Sequence, residues 1–284
     1  MWLAYLALAG RIVLTGYEKI IFKQVADNSG SEEAVCLIFT AGTILLAPFL
    51  LLTGPPESYS FLWISLAAGL VYTIQTVYYV KALSAGEASL VGPVYYFSLF
   101  FLLFFTTVFL SESLKPTKIA GMVLLFYGAS FLNRRQHILA SLKALFTDRA
   151  CQFMIFSSLL VAVGRTVDGW MVRSIHPITY VFSLCLTTDL FLFLHLYFTG
   201  KLGLAAGLFR RKWKLGLAAG AVDCYSYLML MFAITRIEVS VAEPASMLGL
   251  IITVLLAHYI LREKIRERLL AAVILVAGAW LLFL

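Results

Sequence analysis

The sequence is short of what a water-soluble domain of its size relies on. Charged residues fill only 13% of its 284 positions, against about 25% in an ordinary soluble chain. Hydrophobic residues reach 62% and mean hydropathy is +0.93, so the chain needs lipid as its solvent. No polar stretch is long enough to fold as a separate soluble domain. Cysteine is scarce and scattered: Cys36, Cys151, Cys185 and Cys224 each fall in an apolar run, with no CxxC pair and no Cys/His cluster. That spacing supports neither a zinc site nor a redox motif. The net charge is +7, yet the basic residues are split among short loops, without a Lys/Arg stripe interleaved with aromatics. Nucleic-acid binding is therefore not expected. The amino terminus also lacks a basic stretch ahead of its first apolar run, which itself carries Arg11, Glu18 and Lys19. A cleaved signal peptide is not expected there.

What the chain does have is a repeat. Leu66-Ala67-Ala68-Gly69 returns as Leu217-Ala218-Ala219-Gly220, an offset of 151 residues (217 − 66). At the same offset Ala82, Glu87, Ser89 and Pro93 return as Ala233, Glu238, Ser240 and Pro244, and Leu110 and Glu112 as Leu261 and Glu263. No gap is needed between 66–133 and 217–284. Self-similarity of this kind is the first thing to read in a sequence.

Ten apolar segments are long enough, at about 20 residues each, to be read as membrane spans. They are 2–24, 33–53, 60–82, 89–111 and 116–133, then 150–173, 178–199, 214–235, 240–261 and 266–284. Turn signals separate them, among them Gly54-Pro55-Pro56, Lys115-Pro116, His176-Pro177 and Gly200. The expected fold is all-α and polytopic, with repeats at 1–133 and 150–284 and a basic linker at 134–149. Five spans per repeat is an odd number, so the second copy enters the membrane inverted, as in many secondary carriers. Thirteen Lys/Arg residues fall beside or within the loops after spans 5, 7 and 9, against Lys115, Lys118, Arg173 and Arg236 on the other side. The positive-inside rule puts the richer side in the cytoplasm and both termini outside.

The segment from Lys81 to Pro93, KALSAGEASLVGP, resembles the third-to-fourth helix junction of the EamA domain of the drug/metabolite transporter superfamily. Leu110-Ser111-Glu112-Ser113-Leu114, with Gly121 and Gly128 beyond, is similar to that domain's acidic turn and closing helix. Val241-Ala242-Glu243-Pro244 and Leu261-Arg262-Glu263-Lys264-Ile265 are similar to the matching signatures of the second copy. The resemblance implies an alternating-access carrier of amino acids, other metabolites or drugs, often outward, with no cofactor. The chain departs from the family in the charge on its first helix (Arg11, Glu18, Lys19, Lys23) and in Arg165 and Asp168 on its sixth.

Ionisable groups within spans usually face a cavity or a partner. Arg11, Thr15 and Glu18 share one helix face by i+4 and i+3 spacing. Arg165 and Asp168 are i, i+3 neighbours and read either as cavity lining or as a pair that neutralises itself. Asp223, with no basic neighbour in its own span, is the foremost candidate for proton coupling or cation contact; a helix-to-helix hydrogen bond is its plainer alternative. Tyr72, Gln75 and Tyr79 line one face of span 3 and are assigned to the same cavity, where tyrosine rings suit aromatic or cationic groups. Lys19, Lys23 and Arg173 read as snorkelling side chains. Glu112, Glu243 and Glu263 read as carboxylates that cap or tether helix ends. Asp189, His195 and His258 stand isolated, so no metal site is expected.

The candidate substrate-binding set is thus Arg11, Glu18, Tyr72, Gln75, Tyr79, Arg165, Asp168 and Asp223. Its mixed charge suits a zwitterion, and organic cations are the alternative. The implied partners are a small-molecule substrate, protons as a coupling ion and the lipid bilayer of the inner membrane. Oligomeric state is left open, a monomer sufficing. A membrane enzyme would gather catalytic acids and bases at one interface, whereas the acids here are spread over both repeats.

Overall fold

The computed structural model describes residues 1–26, 30–56, 58–85, 94–132, 148–249, 251–252, 255–256 and 266–284. The expectations resting on Glu87, Ser89, Pro93, His258, Glu263 and most of the 134–149 linker lie outside them, as do the side chains of Lys19 and Lys23. Among the described residues there are ten α-helices and no strand: α1 (Trp2–Ala26), α2 (Ser31–Leu46), α3 (Phe61–Ala85), α4 (Ser98–Leu110), α5 (Pro116–Leu132), α6 (Arg149–Met171), α7 (Pro177–Phe198), α8 (Leu202–Ile234), α9 (Val239–Ala245) and α10 (Arg266–Leu282). Five of these stretches are long and apolar enough to cross a membrane, from Glu32–Leu52 to Leu202–Ile234. Their outward residues, such as Leu51, Trp63, Phe198 and Leu204, are largely exposed. Such surfaces suit acyl chains and would be a liability in water.

Local chemistry sets the helix ends. Pro177 opens α7 at N1, where a missing N–H does no harm, and the His176 ring accepts from Ile178 N at 3.3 Å. Gly200, at φ 71°, closes the same helix in the left-handed region, so that Lys201 N reaches back to Leu196 O at 2.9 Å. This is a glycine-terminated C-cap.

One boundary differs from the sequence reading, and 3-10 turns interrupt two of the expected spans. Residues 202–212, expected as loop, form the first turns of α8, which kinks at Lys212 (φ −118°, ψ 23°). Leu208 from these turns packs with Ile21, Val25, Leu37 and Ala219, and that burial makes the segment helical. Lys212 Nζ meanwhile donates to the carbonyls of Gln24 and Val25 at the end of α1. Within the described part of the span expected at 89–111, a 3-10 turn at Tyr95–Phe97 separates helical Val94 from α4. The span expected at 240–261 shows α9 ending at Ala245, before another 3-10 turn at Ser246–Leu248. Pro244 lies at that break, and it removes a helical N–H.

The chain divides into two compact units. Unit 1 is Met1–Thr73 with Asp168–Arg236, and unit 2 is Ile74–Val167 with Ile237–Leu284. Each unit takes matching pieces of both repeats: α1 and α2 with α7 and α8 in the first, α4 and α5 with α9 and α10 in the second. In unit 1, α8 packs against α1 and α2, and α2 against α7. A Cβ on Gly220 of α8 would lie 2.7 Å from Gly42 N and from Ala41 Cβ of α2, so this crossing requires glycine. In unit 2, α5 packs on α10 and α9 touches α4, α5 and α10. Small residues let backbones approach where lipid offers no hydrophobic drive between helices.

Candidate functional site

Five of the eight candidate residues come together in unit 1. Arg11 of α1 is 8% exposed, and its Nη1 donates to Ser226 Oγ of α8 at 2.6 Å. Thr15 Oγ1, one turn on, lies 3.2 Å from the same Ser226 oxygen. Glu18 Oε2 stands 3.9 Å from Arg11 Nη1. The α1 face read from i+4 and i+3 spacing is therefore real, and it looks onto α8. Arg11 Nε is buried and has no hydrogen-bond acceptor among the described residues.

Asp223, half-buried, precedes Ser226 and Tyr227 on α8 by three and four positions, the spacing of one helix face. The Tyr227 ring meets Tyr72 of α3 edge-on at 6.3 Å. Tyr72 in turn donates its hydroxyl to Asp168 Oδ2 at 2.6 Å. Tyr180 of α7 donates to Asp168 Oδ1 at 2.8 Å. Asp168 is fully buried, and two phenols hydrogen-bond its carboxyl oxygens, as buried polar groups require. The result is two bonded groups, Glu18–Arg11–Ser226 and Tyr72–Asp168–Tyr180, with Asp223 and Tyr227 on the α8 face that carries Ser226.

The other three candidates lie in unit 2. Gln75 Nε2 donates to Ser157 Oγ of α6 at 3.0 Å, and Ser157 returns a bond to Gln75 O at 3.1 Å. The Tyr79 ring meets Tyr95 edge-on at 5.3 Å, over a cluster that includes Ala82, Val94 and Met154. Arg165 Nε donates to Glu243 Oε1 of α9 at 3.2 Å. Arg165 thus meets Glu243 of α9, and Asp168 meets tyrosines of α3 and α7. Glu243, read as a tether at a helix end, is the carboxylate that meets an intramembrane arginine.

Glu112 does cap a helix: its two oxygens accept from Val239 N at 2.7 Å and Ser240 N at 2.9 Å, the first amides of α9. Beside it Lys118 Nζ meets Glu238, Ser240 Oγ at 3.0 Å and Ser113 O at 2.8 Å. Burial works to raise the Glu238 carboxyl, but the bond and charge of Lys118 and the Ser113 donors outweigh it and hold it below its ordinary value.

Two residues read as isolated have partners. His195 Nε2 lies 3.3 Å and Lys201 Nζ 2.9 Å from Glu32 Oε2; the Glu32 hydrogen bond raises Lys201 above the usual lysine range. Asp189 accepts from Thr40 and Thr43 of α2. The i, i+3 spacing of those threonines, and the rule that singled out Asp223, were the available signals. Among the described residues no three His, Cys, Asp or Glu side chains converge as metal ligation requires.

A family model described as EamA-like transporter family matches residues 2–134 and 148–284. The chain belongs to that family. It is a multi-pass membrane protein with the two-repeat EamA architecture, and a transporter of small molecules. A solved crystal structure of a protein aligns with it at a TM-score of 0.75 and 15% identity, covering 98% of this chain and 95% of that one; the likeness concerns the fold. No curated protein matches the sequence.

Proposed function

We propose that this EamA-family protein is a secondary carrier of small zwitterionic metabolites, amino acids foremost, moved outward by alternating access. In this reading residues 1–133 and 150–284 are five-helix repeats of inverted topology joined by 134–149. The chain lies in the inner membrane with both termini outside, as its loop charges suggest. The substrate contacts are the unit 1 constellation, built from α1 and α3 of one repeat and α6 and α8 of the other. Gln75, Tyr79 and Arg165 are proposed as further lining in unit 2.

One observation carries the reading. Arg11 is buried with its Nε lacking an acceptor among the described residues, on a helix whose Glu18 is only 3.9 Å from the guanidinium. A buried donor without an acceptor is unfavourable, and a substrate carboxylate would satisfy it in the forked geometry that arginine favours. Asp223 or Glu18 would then take the ammonium group. A second reading, an organic-cation carrier, draws on the edge-on Tyr72–Tyr227 pair beside Asp168, since ring faces and carboxylates both attract cations.

A thermal-shift screen of the purified protein against amino acids, amines and nucleosides tests both, because a true ligand stabilises the native state by mass action. The zwitterion reading expects amino acids to stabilise the wild type and Arg11→Ala to abolish that shift. If Asp223→Asn abolishes stabilisation by amines while Arg11→Ala leaves it intact, the cation reading replaces it. Stabilisation by neither class removes both.

A further inference from the structure

Asp189 lies 5% exposed in the interior of α7. Thr40 Oγ1 donates to its Oδ1 at 3.1 Å and Thr43 Oγ1 to its Oδ2 at 2.6 Å. Among the described residues no Lys, Arg or His pairs with it. The titratable groups coupled to it are Cys36 on α2 and Cys185 on its own helix, and beside those thiols stand Glu33 on α2 and Asp223 and Cys224 on α8. Cys185, one turn before Asp189, senses both Asp189 and Asp223. Cys36 senses Asp189 and Glu33. All of these are acids, so none supplies a fixed positive charge to balance a carboxylate held inside the membrane, where ionised groups are costly.

The threonines explain how the site tolerates either charge state. Thr43 Oγ1 lies within bonding distance of two acceptors, Asp189 Oδ2 and, at 3.0 Å, the Phe39 carbonyl of its own helix. A hydroxyl has one proton and two lone pairs. With Asp189 ionised, Thr43 turns its proton to Oδ2. With Asp189 protonated, Oδ2–H donates to Thr43 Oγ1, whose own proton turns to the Phe39 carbonyl. One hydroxyl rotation satisfies both states, and no heavy atom need move. The direct O···O contacts leave no room for a metal ion between carboxylate and hydroxyls.

We propose that Asp189, with Thr40 and Thr43, is a proton-binding site that couples transport to the pH gradient. The coupling role deepens the carrier reading above and rests on it; proton binding itself does not.

The test uses the full chain reconstituted in lipid vesicles. Infrared difference spectra over a pH titration report the C=O band of a protonated carboxyl. The expected result is a titrating band that is lost in Asp189→Asn and kept in Asp223→Asn. Thr43→Val should raise its midpoint by about one pH unit, because the hydroxyl bonds the charged carboxylate more strongly than it bonds the neutral acid. A band that survives Asp189→Asn, or that vanishes only in Asp223→Asn, overturns the proposal. Should Asp189→Asn fail to fold, an unmoved midpoint in Thr43→Val overturns it instead. In flux assays with a stabilising solute from the screen, Asp189→Asn should lose gradient-driven accumulation and keep counterflow exchange. Wild-type flux indifferent to the gradient overturns the coupling role. A wild type that moves no solute at all sinks the carrier reading, and the spectroscopic titration still decides the proton site.

Discussion

Gln75 and Ser226 hold the same place in the two repeats, 151 positions apart (226 − 75), and each fastens its helix to the leading helix of the other repeat. Gln75 of α3 donates to Ser157 of α6, while Ser226 of α8 accepts from Arg11 of α1. The two copies have kept a polar interhelical bond at this place and changed its chemistry. One version is neutral and doubly bonded; the other involves a cation that keeps a spare donor. That divergence leaves Arg11 Nε without an acceptor among the described residues, where Gln75 and Ser157 satisfy each other.

Ser226→Ala should therefore destabilise the protein more than Gln75→Leu. The first strands a buried guanidinium donor, worth about 1.5–3 kcal/mol for a bond to a charged group. The second removes an ordinary interhelical bond of about 0.6 kcal/mol, and Ser157 keeps its bond to the Gln75 backbone carbonyl. Thermal unfolding of both variants in the same lipid checks the order.

Asp168 offers a sharper test of whether a buried carboxylate is satisfied by its neighbours. Asp168→Ala leaves the Tyr72 and Tyr180 hydroxyls without their acceptor, an expected loss of about 2–5 kcal/mol from two stranded donors. Adding Tyr72→Phe and Tyr180→Phe to that variant should recover part of the loss, since removing all the polar partners together is milder than removing one. No recovery in the triple variant would mean that the tyrosine bonds are not what Asp168 contributes.

How far these features were legible in the sequence depends on how local they are. The helices, the repeat and the breaks at Pro177 and Gly200 follow from hydropathy and from residues that act on their own backbone. The Arg11–Thr15–Glu18 face followed too, because i+3 and i+4 spacing is a property of one helix. What spacing does not carry is which helix that face meets. Arg165 and Asp168 sit within one turn, yet one bonds Glu243 across to α9 and the other bonds Tyr72 and Tyr180 on α3 and α7. Helix rotation and crossing decide those partners. The partners of Asp189 are hidden from the sequence for the same reason: its threonines are 146 and 149 positions away along the chain.

In unit 2 the α5–α10 crossing is held by a reciprocal contact of glycines. A Cβ on Gly121 would lie 2.7 Å from Gly278 O, and a Cβ on Gly278 would lie 2.9 Å from Gly121 O. Backbone cannot yield as a flexible side chain can, so Gly121→Ala and Gly278→Ala should each cost about 1–3 kcal/mol from overpacking. Because both push the same two backbones apart, the double variant should fall short of the sum. Full additivity in thermal unfolding would show that the two positions are relieved independently.

The Lys118–Glu238 pair makes a prediction about acid. Glu238 is held below its ordinary value of 4.5, by Lys118 above all, against the opposing effect of burial. A carboxyl with a depressed folded value contributes stability that is fully present above the unfolded value and is lost as pH falls through the folded one. The window therefore lies below about pH 4.5, well short of neutrality. Lys118→Met removes the cation and its bonds to Ser113 O and Ser240 Oγ, so the melting temperature should drop at neutral pH. The drop should shrink on acidification, because the wild type loses the same pair as Glu238 takes up a proton. Other carboxylates titrate in both proteins and cancel in the comparison. A difference between the two proteins that stays constant from neutral pH down through that window would mean that Lys118 stabilises unit 2 through its hydroxyl and carbonyl bonds, and not through its charge on Glu238.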